Sequence, residues 1–501
     1  MTTLGTEEDM RPGQTPRGNH RLIYVSDPSN TTGQLSDPAT PEELREIVRS
    51  YDELAHVDIL VQEICHQGWT QFWRSDLCVY DTRPQHQRLI PMMDAGTMPV
   101  EVYIDECHRR GMTFLAGFRM NDRHGHNADW FESLSKTHPE WILKGYKPSS
   151  PRTADKRSFD IGCALDYTVD AVRDFIFSFM EEAANRFDVD GIELNWHRLP
   201  ACFPKGQAES SHEIMTGFVR RVRAMLDEAG KAKGRHLLLG ARVLIDLKGC
   251  RTMGLNVPVW IEDRLIDYVA PGDLGFTDMN APFDEFVNLA REHDCLVYPQ
   301  IQAKLGYHHR DIEQTPAHCR AAIQNFYGAG ADGYSTQNIF SVDQYETLKS
   351  IRDPNQLDSG DRHYVYYALW GPSDGGQVGY GGDFPYSPEE IRLDRSSAGE
   401  RQTFRFRMCE DRSSGAVAHL TFQANTLPGD QLTVDVNGNV VEPDQIEREA
   451  ALDGGLEAFR MPLTSATAVS GDNELGLTLV KGDATGGVIL MNEAEVYVKV
   501  E

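Results

Sequence analysis

Residues 188–198 read Asp-Val-Asp-Gly-Ile-Glu-Leu-Asn-Trp-His-Arg, the pattern of a short buried strand that ends in polar side chains. An amphipathic helix pattern precedes this strand at Val169–Phe187, and another follows it at His212–Ala229. Strands and helices that alternate in this way are typical of a parallel α/β architecture.

The same alternation extends outward from this stretch, from Arg21 to about Arg352. The other predicted strands are Leu22–Val25, Ile59–Ile64, Thr113–Phe118, Leu237–Val243, Ile266–Ala270, Leu296–Ile301 and Gly333–Ser335. The other predicted helices are Pro41–His56, Pro99–Arg110, Val259–Arg264, Phe283–His293, Pro316–Gly330 and Val342–Ile351. Eight strands alternating with eight helices over about 330 residues predict a (β/α)8 TIM barrel. A doubly wound sheet is the alternative, but no glycine-rich phosphate loop follows the first strand.

From about Arg362 the hydrophobic period changes to strict alternation, as in Val417–Phe422 and Leu432–Val436. Asn437-Gly438, a strong hairpin-turn pair, follows the second of these runs. We therefore predict a C-terminal all-β sandwich, jelly-roll-like, at residues 361–501. The predicted barrel covers residues 19–355, and residues 1–18, rich in Gly, Pro and Thr, are predicted to be disordered.

The composition excludes several classes of function. The chain has 501 residues, with 49 Lys+Arg, 76 Asp+Glu and a net charge of −27, which argues against nucleic acid and anionic membranes as partners. The mean hydropathy is −0.45, and the longest apolar runs are far shorter than the ~20 residues of a spanning helix. The N-terminus lacks a signal-peptide pattern, and the nine cysteines show no C-x-x-C spacing, so we expect a cytoplasmic protein.

The fourth strand carries the clearest candidate chemistry. Because side chains alternate along a strand, Glu193, Asn195 and His197 share one side and are expected to face the barrel mouth. Buried polar groups are costly unless paired, and a carboxylate there is suited to act as general acid, base or nucleophile. The alternative is a hydrogen-bonded network that closes the top of the core.

The third strand ends in the run Arg119-Met-Asn-Asp-Arg-His-Gly-His126. Asp122 is the second candidate carboxylate, while Arg119, Asn121 and His124 suit sugar hydroxyls or an anionic substituent. A solvated loop with local turns is the alternative. Asp122, His124 and His126 together with Glu193 also raise the hypothesis of a metal site, although their spacing matches no specific motif.

The remaining strand ends complete a polar rim. Trp69 and Trp73, in the long loop after the second strand, are interpreted either as a stacking platform for a sugar ring or as core packing. Asp273 is the third candidate carboxylate. The remaining candidate substrate-binding residues at strand ends are Glu63, His66, Arg198, Arg242, Gln300 and Gln337.

The segment from Asp190 to His197 resembles the chitinase-type motif D-G-x-D-x-D-x-E. In this chain Glu193 and Asn195 stand where that motif has aspartates, and His197 stands where it has the proton-donating Glu. The chain is more similar to uncharacterised glycoside-hydrolase-like barrel proteins of environmental and marine bacteria. Phe118–Asp122, Phe187–Glu193 and Ala241–Val243 carry this likeness, although that family usually has Asp at position 195 and Met at position 197.

The resemblance implies a carbohydrate-active barrel. We therefore expect a glycoside hydrolase that cleaves an oligosaccharide with no cofactor, with Glu193 paired to Asp122 or Asp273 and with His197 as acid or as a group that tunes Glu193. Two alternatives remain: a carbohydrate-binding pseudoenzyme, and a metal-assisted sugar isomerase, epimerase or lyase. The edges of the β-sandwich also make a homo-oligomer a possible assembly.

Overall fold

The computed structural model describes residues 18–19, 21–66, 69–121, 137–143, 164–197, 200–273, 276–306, 312–336, 342–366, 390–410, 416–450 and 455–500. These residues form a parallel barrel surrounded by helices, followed by a set of antiparallel sheets. The predicted fold class is therefore confirmed. The predicted domain limits stay predictions, and residues 1–17 of the expected N-terminal segment lie outside the described residues.

The barrel strands run in sequence order around the ring. They are β1 (Arg21–Ser26), β2 (Ile59–His66), β3 (Thr113–Arg119), β4 (Gly191–Asn195), β5 (Leu238–Val243), β6 (Tyr268–Pro271), β7 (Leu296–Val297 and Gln300–Ile301) and β8 (Gly333–Thr336). The first segment of β7 pairs with β6 and the second pairs with β8, which in turn pairs with β1. This pairing closes the sheet into a barrel, and Pro299, which has no backbone N–H, lies at the break in β7.

Helices connect these strands on the outside of the barrel. They are α1 (Pro41–Ala55), α2 (Pro99–Arg109), α3 (Asp170–Arg186), α4 (His212–Lys233), α5 (Val257–Glu262), α6 (Phe283–Arg291), α7 (Pro316–Ala329) and α8 (Val342–Ser350). Local sequence explains several ends: Thr40 and Glu43 form a capping box before α1, and α4 stops at Gly234, whose φ is +70°. No helix in the described part of the chain is long and apolar enough to cross a membrane.

The barrel has two separate apolar cores. The larger one lies between the strands and the helices and contains Trp73, Trp196 and Trp260. The smaller one fills the barrel interior with eight buried side chains, among them Val61, Leu115 and Tyr268. Polar side chains lie above this second core, toward the carboxyl ends of the strands, where the sequence predicts the site.

The C-terminal sheets are antiparallel throughout. Their strands are β9 (Arg362–Tyr366), β10 (Ile391–Asp394), β11 (Arg401–Met408), β12 (Val417–Ala424), β13 (Gln431–Val436), β14 (Asn439–Val440), β15 (Glu447–Ala450), β16 (Glu457–Leu463), β17 (Gly471–Lys481), β18 (Val488–Met491) and β19 (Ala494–Lys499). The sheet orders are β9-β19-β12-β16-β15, β11-β17-β13-β14 and β10-β18. Asn437 and Gly438 join β13 to β14 with φ values of +53° and +79°, as expected for the predicted tight hairpin.

Candidate active site

The inner face of β4 is polar, as its alternation predicts. Ile192, Leu194 and Trp196 belong to the outer core between strands and helices. Glu193 bonds to Arg242 of the adjacent strand β5, Asn195 bonds to Glu63 of β2, two strands away, and both are buried. The polar inner face thus replaces the Val, Ile and Leu side chains that usually fill a barrel.

Glu193 lies in an ion cluster with Arg242 of β5 and Tyr268 of β6. The guanidinium donates from Nε to Oε1 at 2.9 Å and from Nη2 to Oε2 at 3.2 Å, and the Tyr268 hydroxyl donates to Oε2 at 2.8 Å. Arg242 also donates to Gln300 Oε1 at 2.6 Å and to Ser335 Oγ at 3.2 Å. Glu193 is fully buried, so its charge is balanced by Arg242 and not by solvent.

Glycine at position 240 makes room for this cluster. Gly240 is paired with Glu193 on one side and with Tyr268 on the other. A Cβ atom at position 240 would overlap the Tyr268 ring. The absence of a side chain on β5 at this level therefore lets the Tyr268 hydroxyl reach the Glu193 carboxylate.

A second ion cluster surrounds Arg119 at the end of β3. Its guanidinium pairs with the carboxylates of Asp27, which follows β1, and Glu63 of β2. Asn195 Nδ2 donates to Glu63 Oε1 at 2.9 Å, and the Asn195 side-chain oxygen accepts from the backbone N–H of His197 at 3.0 Å. Asn195 thus links this second cluster to the strand that carries Glu193.

His197 is fully buried at the carboxyl end of β4. Its Nε2 lies against the carbonyl oxygen of Val243, which can only accept a hydrogen bond, so Nε2 carries the proton. Burial, reinforced by the nearby charge of Arg242, lowers the pKa of His197 to about 3. At neutral pH the imidazole is uncharged. The role expected of His197, as acid or as a group that tunes Glu193, stays a prediction.

The end of β6 is fixed through the backbone of Asp273. Its carbonyl oxygen accepts from Gln300 Nε2 at 2.6 Å and from Gln302 Nε2 at 2.7 Å. Gln300 thereby joins the Arg242 cluster to the residue that follows β6. Both ends of the Gln300 amide bond to protein groups. Its predicted role as a group that contacts substrate stays a prediction.

The side chain of Asn121, predicted to contact substrate, bonds to backbone groups of the protein. Its side-chain amide donates to the carbonyl oxygens of Leu165 and Ala201, at 3.0 and 2.6 Å, and accepts from the backbone N–H of Leu165 at 2.9 Å. It therefore ties together the segments that follow β3 and β4. The hydrogen bonds to backbone explain its position without a substrate.

Trp69 and Trp73, the two tryptophans after β2, are both buried. Trp73 is fully buried in the outer core, where its ring packs edge-on against Phe187 at 5.9 Å, so the prediction of a stacking platform is wrong for Trp73. Trp69 is also buried, and its backbone pairs with His66 at the end of β2. A bulge between Glu63 and Cys65 shifts the register, and His66 pairs with Arg119.

Four of the candidate residues lie outside the described residues, namely Asp122, His124, Arg198 and Gln337. The metal hypothesis depends on two of them and on His126, which also lies outside the described residues. Among the residues that are described, no group of three His, Cys, Asp or Glu side chains is placed to hold a metal ion.

Sequence reasoning missed Asp27, Tyr268 and Ser335. Asp27 directly follows β1, so the strand-end argument applied to the other strands would have identified it. Tyr268 lies in the apolar strand β6 and Ser335 in β8, and neither follows the end of its strand, where the sequence argument looked for functional residues.

The chain is similar to several solved structures. α-L-Fucosidase isoenzyme 2 from Paenibacillus thiaminolyticus is 14% identical, with 67% of this chain and 49% of that chain covered and a TM-score of 0.42. The PgaB (BpsB) glycoside hydrolase domain from Bordetella bronchiseptica is 11% identical, with coverage of 67% and 98% and a TM-score of 0.43. The α-amylase from Geobacillus thermoleovorans is 12% identical, with coverage of 91% and 98% and a TM-score of 0.40.

The match to the fucosidase spans about half of that enzyme's length. A search of curated proteins finds no significant match. Residues 28–212, from the segment after β1 to the first residue of α4, match the family model described as Glycosyl hydrolase-like 10, and this match confirms the resemblance to glycoside-hydrolase-like barrel proteins.

Proposed function

We propose that this chain hydrolyses a glycosidic bond of an oligosaccharide at the carboxyl ends of its barrel strands. The observation that carries the proposal is the pair of buried arginine–carboxylate clusters around Arg119 and Arg242. Burying ions costs several kcal/mol per charge, and such costs are concentrated at functional sites. The match of residues 28–212 to a glycosyl hydrolase-like family supports the same class of reaction.

Within this proposal Glu193 is a positioning residue. It accepts three hydrogen bonds, two of them from Arg242, and is fully buried. These three hydrogen bonds engage both of its carboxylate oxygens. Its role is to orient Arg242 and Tyr268 beneath the substrate, and Glu63 has the corresponding role for Arg119 and Asn195.

The proton chemistry is assigned to Asp273 and Asp122. Hydrolysis needs one carboxylic acid to protonate the glycosidic oxygen and one carboxylate to attack the anomeric carbon or activate water. Asp273 lies two residues beyond the end of β6, and the Asp273 backbone is held by Gln300 and Gln302. Asp122 follows Asn121 at the end of β3 in sequence. Strand ends on this face of a barrel are where catalytic residues lie.

The charge balance favours a neutral sugar over an anionic one. Arg119 and Arg242 are each engaged by carboxylates, so neither offers a free guanidinium to a uronate or sulfate. Recognition of an anionic substituent would fall to Arg123 and Arg198, which lie outside the described residues.

One observation favours the second candidate, a carbohydrate-binding pseudoenzyme. His197 stands where the chitinase-type motif has its proton donor, and its pKa of about 3 leaves it without an acidic proton at neutral pH. A chain that had lost its acid would keep the polar floor of the cleft and bind without turnover.

The experiment is a hydrolysis assay of the full chain on a panel of aryl glycosides and oligosaccharides, with and without chelator. Asp273→Asn should abolish turnover and leave the melting temperature close to that of wild type. Glu193→Gln should reduce turnover and stability together. Glu410→Gln is the matched control, because Glu410 is also buried and bonded to an arginine and a tyrosine, Arg362 and Tyr364. It should reduce stability without reducing kcat.

Wild-type protein that turns over no glycoside but is stabilised by a sugar would contradict hydrolysis and support the binding candidate. Turnover that is lost with chelator would support the metal-assisted alternative. Unchanged kcat in Asp273→Asn would remove Asp273 from the mechanism.

A further inference from the structure

Strand β11 of the C-terminal β domain presents an edge to the barrel. In the described part of the chain β11 pairs with β17 along one edge. On the other edge the side chain of Asn280 takes the place of a neighbouring strand. Its Nδ2 donates to the carbonyl oxygen of Arg405 at 2.8 Å, and its Oδ1 accepts from the backbone N–H of Arg407 at 2.8 Å.

Asn325 of α7 continues this side-chain ladder by one step. Its Oδ1 accepts from the backbone N–H of Cys409 at 2.9 Å, and its Nδ2 donates to the carbonyl oxygen of Arg407 at 2.9 Å. The same Nδ2 group also donates to the carbonyl oxygen of Met279 at 2.9 Å. One buried amide therefore joins α7, β11 and the segment before Asn280.

Asn280 and Met279 belong to the connection from β6 to α6, and this connection also carries Asp273. The part of this connection that lies against the barrel is also held by hydrogen bonds. Thr277 Oγ1 accepts from the backbone N–H of Gln302 at 2.9 Å, and Gln302 Nε2 donates to the Asp273 carbonyl oxygen at 2.7 Å. Hydrogen bonds, together with the backbone between Thr277 and Asn280, thus connect the edge of β11 to the backbone of Asp273.

We propose that the C-terminal β domain positions Asp273 for catalysis by holding residues 276–281 against the edge of β11, with Asn280 and Asn325 as the positioning residues. The role of Asp273 in this inference rests on the proposed hydrolase function. The coupling between β11 and residues 276–281 does not rest on that function, and hydrogen–deuterium exchange measures it separately.

Backbone-directed amides are suited to this task. An edge strand with unpaired N–H and C=O groups must be covered, and an asparagine amide offers one donor and one acceptor at the spacing of a strand ladder. Release of residues 276–281 from β11 would leave backbone groups of β11 and the amide of Asn280 without these hydrogen bonds. Buried polar groups without partners are costly, so this release is unfavourable. Small displacements of a catalytic group reduce rate strongly, by about a hundredfold for 1 Å.

The coupling is tested by hydrogen–deuterium exchange of the full chain, read by mass spectrometry on peptides that cover residues 276–282. Asn280→Ala and Asn325→Ala should accelerate exchange there by about tenfold or more, since each removes two or three hydrogen bonds. Arg320→Ala is the matched control, because Arg320 joins α7 to the carbonyl oxygen of Asp361 in the same interface without touching residues 276–281. Its exchange at 276–282 should equal that of wild type.

The catalytic consequence is tested on whichever glycoside the panel identifies. Asn280→Ala should lower kcat by about tenfold to a hundredfold with KM unchanged, while Arg320→Ala leaves both unchanged. Asn280→Asp, which keeps the acceptor for Arg407 and loses the donor to Arg405, should be intermediate. Equal exchange in Asn280→Ala and wild type would overturn the coupling. Accelerated exchange with wild-type kcat would overturn the positioning of Asp273. If wild type lacks hydrolysis altogether, the proposed function fails while the exchange result still decides the coupling.

Discussion

Glu193→Gln should destabilise the barrel by about 3–5 kcal/mol, because it leaves a buried guanidinium without its carboxylate. Among the described residues Glu193 is the acidic partner of Arg242, and both side chains are fully buried. The substitution keeps the size of the side chain, so the loss measures charge and hydrogen bonding, with no cavity to add to it.

The structure sets the size of the effect. Arg242 keeps its hydrogen bonds to Gln300 and Ser335, and the amide oxygen of a glutamine can still accept from Nε or from Tyr268. The NH2 group of the glutamine, however, would face an N–H group of Arg242. The two atoms would lie 2.9 Å apart if the NH2 group replaces Oε1, or 3.2 Å apart if it replaces Oε2. If the barrel unfolds as a unit of about 330 residues, the melting temperature should fall by about 4–7 °C.

Equilibrium urea unfolding, followed by tryptophan fluorescence, measures the loss. Arg242→Met and the double variant Glu193→Gln/Arg242→Met complete a cycle. The double variant should be less destabilised than the sum of the two single variants, by about 2 kcal/mol or more, because it leaves no unpaired buried charge. A loss below about 1 kcal/mol for Glu193→Gln, or single losses that add within about 0.5 kcal/mol, would refute the reasoning.

Three further predictions follow from the same geometry. The pKa of His197 is about 3 in the folded barrel against 6.5 for an ordinary histidine, so the unfolded chain binds an extra proton between these values. Stability should therefore fall as the pH drops from 6.5 toward 3, and His197→Gln should make that fall shallower in urea unfolding at stepped pH. Gly240→Ala should cost about 1–3 kcal/mol in thermal unfolding, since its methyl group would displace the Tyr268 ring; a wild-type melting temperature would contradict this. Burial raises the pKa of the Cys202 thiol and raises that of Cys78 to about 12, so both should resist alkylation at pH 8 until the protein is unfolded, as peptide mass spectrometry would show.

The sequence was sufficient to predict the barrel because its signals are local. Strand and helix limits depend on periodicity and capping, and Thr40-Pro41 with Glu43 marks the start of α1 from four residues alone. The inward direction of Glu193 and Asn195 is equally local, since it depends on the alternation within β4.

The partners of these residues could not be predicted in the same way. Glu193 meets Arg242 and Tyr268 only because β4, β5 and β6 pair in a particular register, which a single sequence does not state. The bulge in β2 shifts its register with β3 by one residue after Glu63, and a single sequence does not mark such an insertion. Trp73 packs against Phe187, more than a hundred residues away in sequence.

Asn195 fits its position beside Glu63 better than an aspartate would. An aspartate at position 195 would bring a second carboxylate to within hydrogen-bond distance of Glu63, whose Oε1 lies 2.9 Å from Asn195 Nδ2. One of the two would then need a proton, because adjacent carboxylates do not both ionise readily. With asparagine, the amide donates to Glu63 and still accepts from the backbone N–H of His197, so Glu63 has both the amide and Arg119 as partners. Because an amide carries no ionisable group, position 195 offers a fixed polar side chain at the end of β4, and the proposed acid and base are sought at the ends of β3 and β6.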